Sequence, residues 1–197
     1  MPLVIYSLAF TGGFVIMSLE LLGGRVLAPY FGSSIYVWGS IITIFMLSLS
    51  LGYLWGGWLS LREPSLRKFG SIFLLGALTL YPLVYFSEPA MTWIFRGIED
   101  PRYGSLLASG ILFIVPTVIL GMISPYSVRL LVETTERAGQ IAGRLYFVST
   151  LGSALGTLAT SFYFVLWFEI NTILTLLTGA LVLMGVTGIA AHSRTRA

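Results

Sequence analysis

The sequence has no cysteine and a single histidine, and only 10% of its 197 residues are charged. Without cysteine there is no disulfide framework, no thiolate metal site and no thiol nucleophile. His192 has no second histidine or acidic cluster near it, so no metal site is expected. Soluble domains carry about 25% charged residues, and this chain lacks the polar surface to cover itself in water. No Ser-His-Asp arrangement, phosphate-cradling glycine loop or zinc signature is present. No catalytic residue and no cofactor are therefore assigned. The net charge of +3 is small, and the basic residues gather at the ends of apolar runs, which argues against nucleic acid as a partner.

What the chain has in abundance is apolar length: 56% hydrophobic residues and a mean hydropathy of +0.91. Uncharged runs cover 18 residues (2–19), 36 (26–61), 19 (69–87), 26 (103–128), 24 (145–168) and 24 (170–193). A membrane-crossing helix needs about 20 such residues. The expectation is an all-α, polytopic transmembrane helix bundle with about six spans, at 3–22, 36–59, 69–86, 103–120, 145–167 and 172–191. It forms one domain over 1–197, with a polar tail at 192–197. The first run has no basic segment ahead of it and continues to Glu20, so it reads as a retained span.

Lys and Arg in short loops set orientation. With the N-terminus inside, eight basic residues lie inside (Arg62, Arg67, Lys68, Arg129, Arg137, Arg144, Arg194, Arg196) and three outside (Arg25, Arg96, Arg102). Both termini are thus expected in the cytoplasm, with the chain in the cytoplasmic membrane. Tyr30, Phe31, Tyr36, Trp38, Tyr85, Trp93 and Trp167 would mark the outer interface, and Trp55, Trp58, Tyr126 and Tyr146 the inner one.

Local signals refine this layout. The stretch 28–34 (APYFGSS) reads as a loop. In 87–102, Met91, Ile94, Phe95 and Ile98 recur at helical spacing, which fits a short outer helix, either lying on the membrane or packed over the bundle. Pro116 and Pro125 predict a kink or break near Gly121. Gly52 and Gly56, and again Gly152 and Gly156, are four apart, a spacing that lets helix backbones approach. With the Pro29-Tyr30 and Pro125-Tyr126 pairs they hint at a 3+3 inverted repeat, the arrangement of many transporters.

Glu20 is the acidic residue inside an apolar run. If Arg25 marks the outer boundary, five residues put Glu20 about 7–8 Å deeper. It is either clamped to Arg25, across a rotation of about 140°, or free for a cationic ligand or a proton relay. Arg129, Arg137 and Arg144 form a basic inner face, with Glu133 at i, i+4 spacing to both Arg129 and Arg137. That face is either solvated or a docking surface for a cytoplasmic partner or anionic lipid.

Three runs, 20–39 (ELLGGRVLAPYFGSSIYVWG), 121–130 (GMISPYSVRL) and 143–157 (GRLYFVSTLGSALGT), resemble the membrane region of transmembrane spermidine synthase-like proteins. These join a transporter-like membrane domain to a spermidine synthase domain, and the likeness extends over about 7–167. The resemblance implies a cytoplasmic aminopropyltransferase and a polyamine connection, with Glu20 as a contact for an ammonium group. No strand–glycine loop–helix unit for that cofactor occurs in these 197 residues. Three functions stay open: a non-catalytic module that anchors the aminopropyltransferase or handles polyamine, an accessory subunit of a larger membrane complex, and a small solute transporter.

Overall fold

The computed structural model describes residues 2–132 and 134–194, and it is helical almost throughout. The helices are α1 (Pro2–Phe31), α2 (Ile35–Ser60), α3 (Leu66–Leu80), α4 (Leu83–Gly97), α5 (Pro101–Gly121) and α6 (Ile123–Leu131). After a 3-10 turn at Thr135–Arg137 come α7 (Ala138–Ala159), a π-turn at Thr160–Phe164, α8 (Val165–Trp167) and α9 (Ile170–Arg194). Five helical segments are long and apolar enough to cross a membrane, and the α3–α4 pair, bent by 45°, makes a sixth. The chain therefore has the architecture of a multi-pass membrane protein.

Breaks in the helices follow from proline and glycine, though not always where the sequence suggests. The expected loop at 28–34 shrinks to a turn. Pro29 is absorbed into the last turn of α1, and Gly32, at φ +75°, ends the helix with its N–H donating to the Ala28 carbonyl at 2.9 Å. The expected third span at 69–86 is instead α3 plus α4, because Pro82 has no N–H to continue the ladder and bends the chain after Leu80. The outer helix is the packed alternative: Met91 and Ile94 are buried, and Phe95 meets Phe31 edge-on at 5.6 Å. The break near Gly121 occurs as expected, with Pro125 one turn beyond it. The helix of α9 continues through Arg194, so half of the expected tail is helical, and 195–197 lie outside the described residues.

Glycines fix how the spans meet. A Cβ on Gly52 would collide with the Val118 carbonyl, and one on Gly56 would sit 2.6 Å from the Met122 Cα. On the other side, Gly152 and Gly156 press against the backbone of Phe10 and Phe14. Both seams advance in step, so α1 runs parallel to α7, and α2 parallel to the α5–α6 span. The third pairing is antiparallel, with Gly70 of α3 against Gly185 of α9 and Gly188 against Leu66.

These contacts repeat with one register. From Phe10 to Val118, Gly13 to Gly121 and Phe14 to Met122 is always a step of 108 residues. From Leu49 to Ser149, Gly52 to Gly152 and Gly56 to Gly156 is always a step of 100. The contact of Gly13 with Ser149 thus mirrors that of Gly121 with Leu49. Exchanging the first three spans with the last three maps the pairings onto themselves. Because α1 is antiparallel to α2 (Gly24 against Trp38, Gly23 against Ile41) and hence to α5, the halves are inverted. The Pro-Tyr pairs take no part, since the register sets Pro125 opposite Met17 rather than Pro29.

Two predictions follow from this packing. Gly52→Val and Gly152→Val, each overpacking a backbone seam, should destabilise the bundle by about 1–3 kcal/mol in detergent melts. Gly57→Val, where nothing lies within 4 Å, should not destabilise the bundle, since it meets no neighbour and valine has the better helix propensity. At the start of α5, Asp100 accepts from the Arg102 backbone N–H at 2.9 Å and pairs with its guanidinium at 2.9 Å, which holds its carboxyl below the usual range. A lowered folded-state value stabilises above the ordinary value and is lost as pH falls through it. Amide exchange at the start of α5 should therefore accelerate in acid relative to Asp100→Asn, which lacks the transition.

Candidate functional site

A cavity of about 480 Å³, here the axial cavity, lies between α1, α2, α5–α6 and α7, where the two register-related halves meet. Twelve of its fifteen lining residues fall into six register pairs: Gly12 with Leu120, Gly13 with Gly121, Ile16 with Ser124, Met17 with Pro125, Leu49 with Ser149, and Tyr53 with Ser153. The glycine seams make this space. Where backbones touch, side chains are forced aside, and the groove between them stays unfilled.

Its lining is chemically lopsided. The second half supplies Ser124, Ser149, Thr150 and Ser153, while their partners in the first half are mostly apolar. Tyr53 and Tyr146 add aromatic faces with hydroxyls, and among the described residues no charged side chain lines the space. Tyr146, Ser149, Thr150 and Ser153 recur at i, i+3, i+4, i+7, a polar stripe on an apolar span. That periodicity is readable in the sequence, yet it points to a cavity only once α7 is known to face inward.

Glu20 lies on α1 four residues beyond Ile16 and three beyond Met17, on the face that lines the cavity and one turn along. It is half-buried and makes no ion pair or hydrogen bond among the described residues. Arg25 does not reach it. That side chain is exposed and lines a separate cleft at the α1–α2 turn end of the bundle. The expected alternative of a clamp between them does not form, because the two side chains leave an unbroken α1 on different faces.

Arg129, Arg137 and Arg144 are exposed at the end that carries the termini, on α6, the 3-10 turn and α7. They are unpaired among the described residues; Glu133, and with it the two expected i, i+4 pairs, lies outside them. Gly52, Gly56, Gly152 and Gly156 hold the two seams already described.

Tyr126, which the sequence offers as an inner-interface aromatic, is instead a buried tie at the terminal end. Tyr126 is fully buried and stacks on Phe69 at 5.6 Å and 11°, and its hydroxyl accepts from the Ser65 N–H at 3.1 Å. The turn between α2 and α3 is thereby tied to α6. No protein-family model, curated protein or solved structure matches the chain.

Tyr126→Phe keeps the ring and removes the hydroxyl, so it should destabilise by roughly 0.5–1.5 kcal/mol, plus any cost of an unpaired Ser65 N–H. A lower detergent melting temperature, with unchanged helix content by circular dichroism, is the expected readout.

Proposed function

We propose that this chain is a transporter-like membrane module that binds a small organic cation of the polyamine class. The carrying observation is a cavity where the halves of an inverted repeat meet, with an unpaired carboxylate one turn along the same helix face. Inverted-repeat transporters hold their substrates where the repeats meet, near mid-membrane. A polyamine alternates ammonium groups with short hydrocarbon stretches. Tyr53 and Tyr146 offer cation–π faces, the serines offer acceptors, and Glu20 offers the counter-charge. An ionisable group inside a span is costly unless it has such work.

The family resemblance supports the same solute class and adds a cytoplasmic aminopropyltransferase as partner. In this reading the termini face the cytoplasm, following the eight-to-three bias of basic residues, and the chain lies in the cytoplasmic membrane. Exposed Arg129, Arg137 and Arg144 are then the docking face for that enzyme.

Equilibrium binding of labelled spermidine to the purified chain in nanodiscs tests the reading. Wild type should bind saturably, and Glu20→Gln should weaken binding at least tenfold while the melting temperature holds. Equal spermidine binding by folded Glu20→Gln protein would overturn the role of Glu20. Absence of saturable binding in wild type would overturn the solute class, and co-purification with unrelated membrane subunits instead would favour an accessory-subunit role.

A further inference from the structure

The cleft at the α1–α2 turn end encloses about 720 Å³ between α1, α4 and the α8–α9 connection, within the size range of small-molecule sites. It shares no lining residue with the axial cavity. Three charged side chains face it from three segments: Arg25 of α1, Glu88 of α4 and Glu169 ahead of α9. None of them forms an ion pair, although opposite charges on one cleft wall gain by closing on each other.

Each charge stands on an ordered backbone. Arg25 rides within an unbroken helix of 30 residues. Glu88 is held at its carbonyl by the Tyr30 hydroxyl at 3.4 Å, which also meets the Thr92 hydroxyl at 3.1 Å. Glu169 is fixed where its carbonyl accepts the Ile173 N–H at 3.1 Å, opening α9. The rest of the wall is mixed: Met91, Val165 and the ring of Trp167 give apolar surface, and Ser87, Tyr85 and Asn171 give polar groups.

From this geometry we infer that the cleft binds a ligand carrying both an ammonium and an acidic group, the acid on Arg25 and the ammonium on Glu88 or Glu169. A purely cationic ligand would bring like charge to Arg25, and a purely anionic one would leave both carboxylates facing it. A ligand with both signs pairs with Arg25 and with at least one of the carboxylates, and its hydrocarbon link meets the apolar surface of Met91 and Trp167. Two sources carry this chemistry: a soluble amino acid, and the headgroup of phosphatidylethanolamine. The inference does not rest on the axial cavity, so either reading can fail alone.

The test uses the purified full chain in nanodiscs. Lysine, its decarboxylated counterpart cadaverine, and glutarate are titrated by calorimetry into the Glu20→Gln chain, so that a diamine held by the axial counter-charge is not read as binding in the cleft. In a second arm, nanodiscs of equal phosphatidylethanolamine and phosphatidylglycerol are analysed by mass spectrometry for lipid retained on the protein. A soluble source gives saturable lysine binding, with cadaverine and glutarate at least tenfold weaker. A lipid source gives at least twofold enrichment of phosphatidylethanolamine. In either case Arg25→Gln and Glu88→Gln Glu169→Gln remove the effect, and Arg25→Lys, which keeps the charge, retains it within a few-fold. The inference is overturned by neither effect appearing, by cadaverine binding as tightly as lysine, by enrichment of phosphatidylglycerol instead, or by binding that survives the neutralising variants.

Discussion

Close backbone contact at glycine is the constraint on which this bundle depends. In lipid, one apolar side chain is as well solvated by hydrocarbon as by a neighbouring helix, so burial alone does not hold spans together. Association comes from van der Waals contact, and that is greatest where no Cβ intervenes. Gly52 and Gly56 bring α2 onto the backbone at Val118 and Met122, and Gly152 and Gly156 bring α7 onto Phe10 and Phe14. The same close approach pushes larger side chains outward and leaves the axial cavity behind, so packing and candidate site have one cause.

The two halves share a contact register but not a chemistry or a shape. Serines of the second half stand opposite isoleucine, leucine and tyrosine of the first. The first-half third span is bent at Pro82, while its counterpart α9 runs unbroken for 25 residues. At one end of the bundle Tyr126 ties α6 to Ser65 and Phe69, and at the other lies the cleft around Arg25.

Charge is sparse, and its placement is correspondingly informative. Among the described residues the ion pair is Asp100–Arg102, exposed at the head of α5, where it caps the helix. Glu20 stands unpaired on α1 one turn beyond the axial cavity, and Arg25 stands unpaired in the separate cleft. Each has a cost in or near lipid that a ligand of opposite charge would offset.

The sequence by itself determined the solvent, the helical class and the approximate spans, because uncharged runs of membrane length have one common solution in lipid. It also placed the break at Gly121 and the glycine pairs, since proline and glycine act locally on the backbone. It misplaced the turn after α1 and the end of the third span, where the neighbouring residues decide whether a proline ends a helix or is absorbed. Which faces meet was settled only by the tertiary structure: Leu49 opposite Ser149, the serine stripe of α7 turned inward, and Arg25 carried away from Glu20. Nothing within one apolar span records its partner, because lipid and a neighbouring helix offer its side chains nearly the same environment.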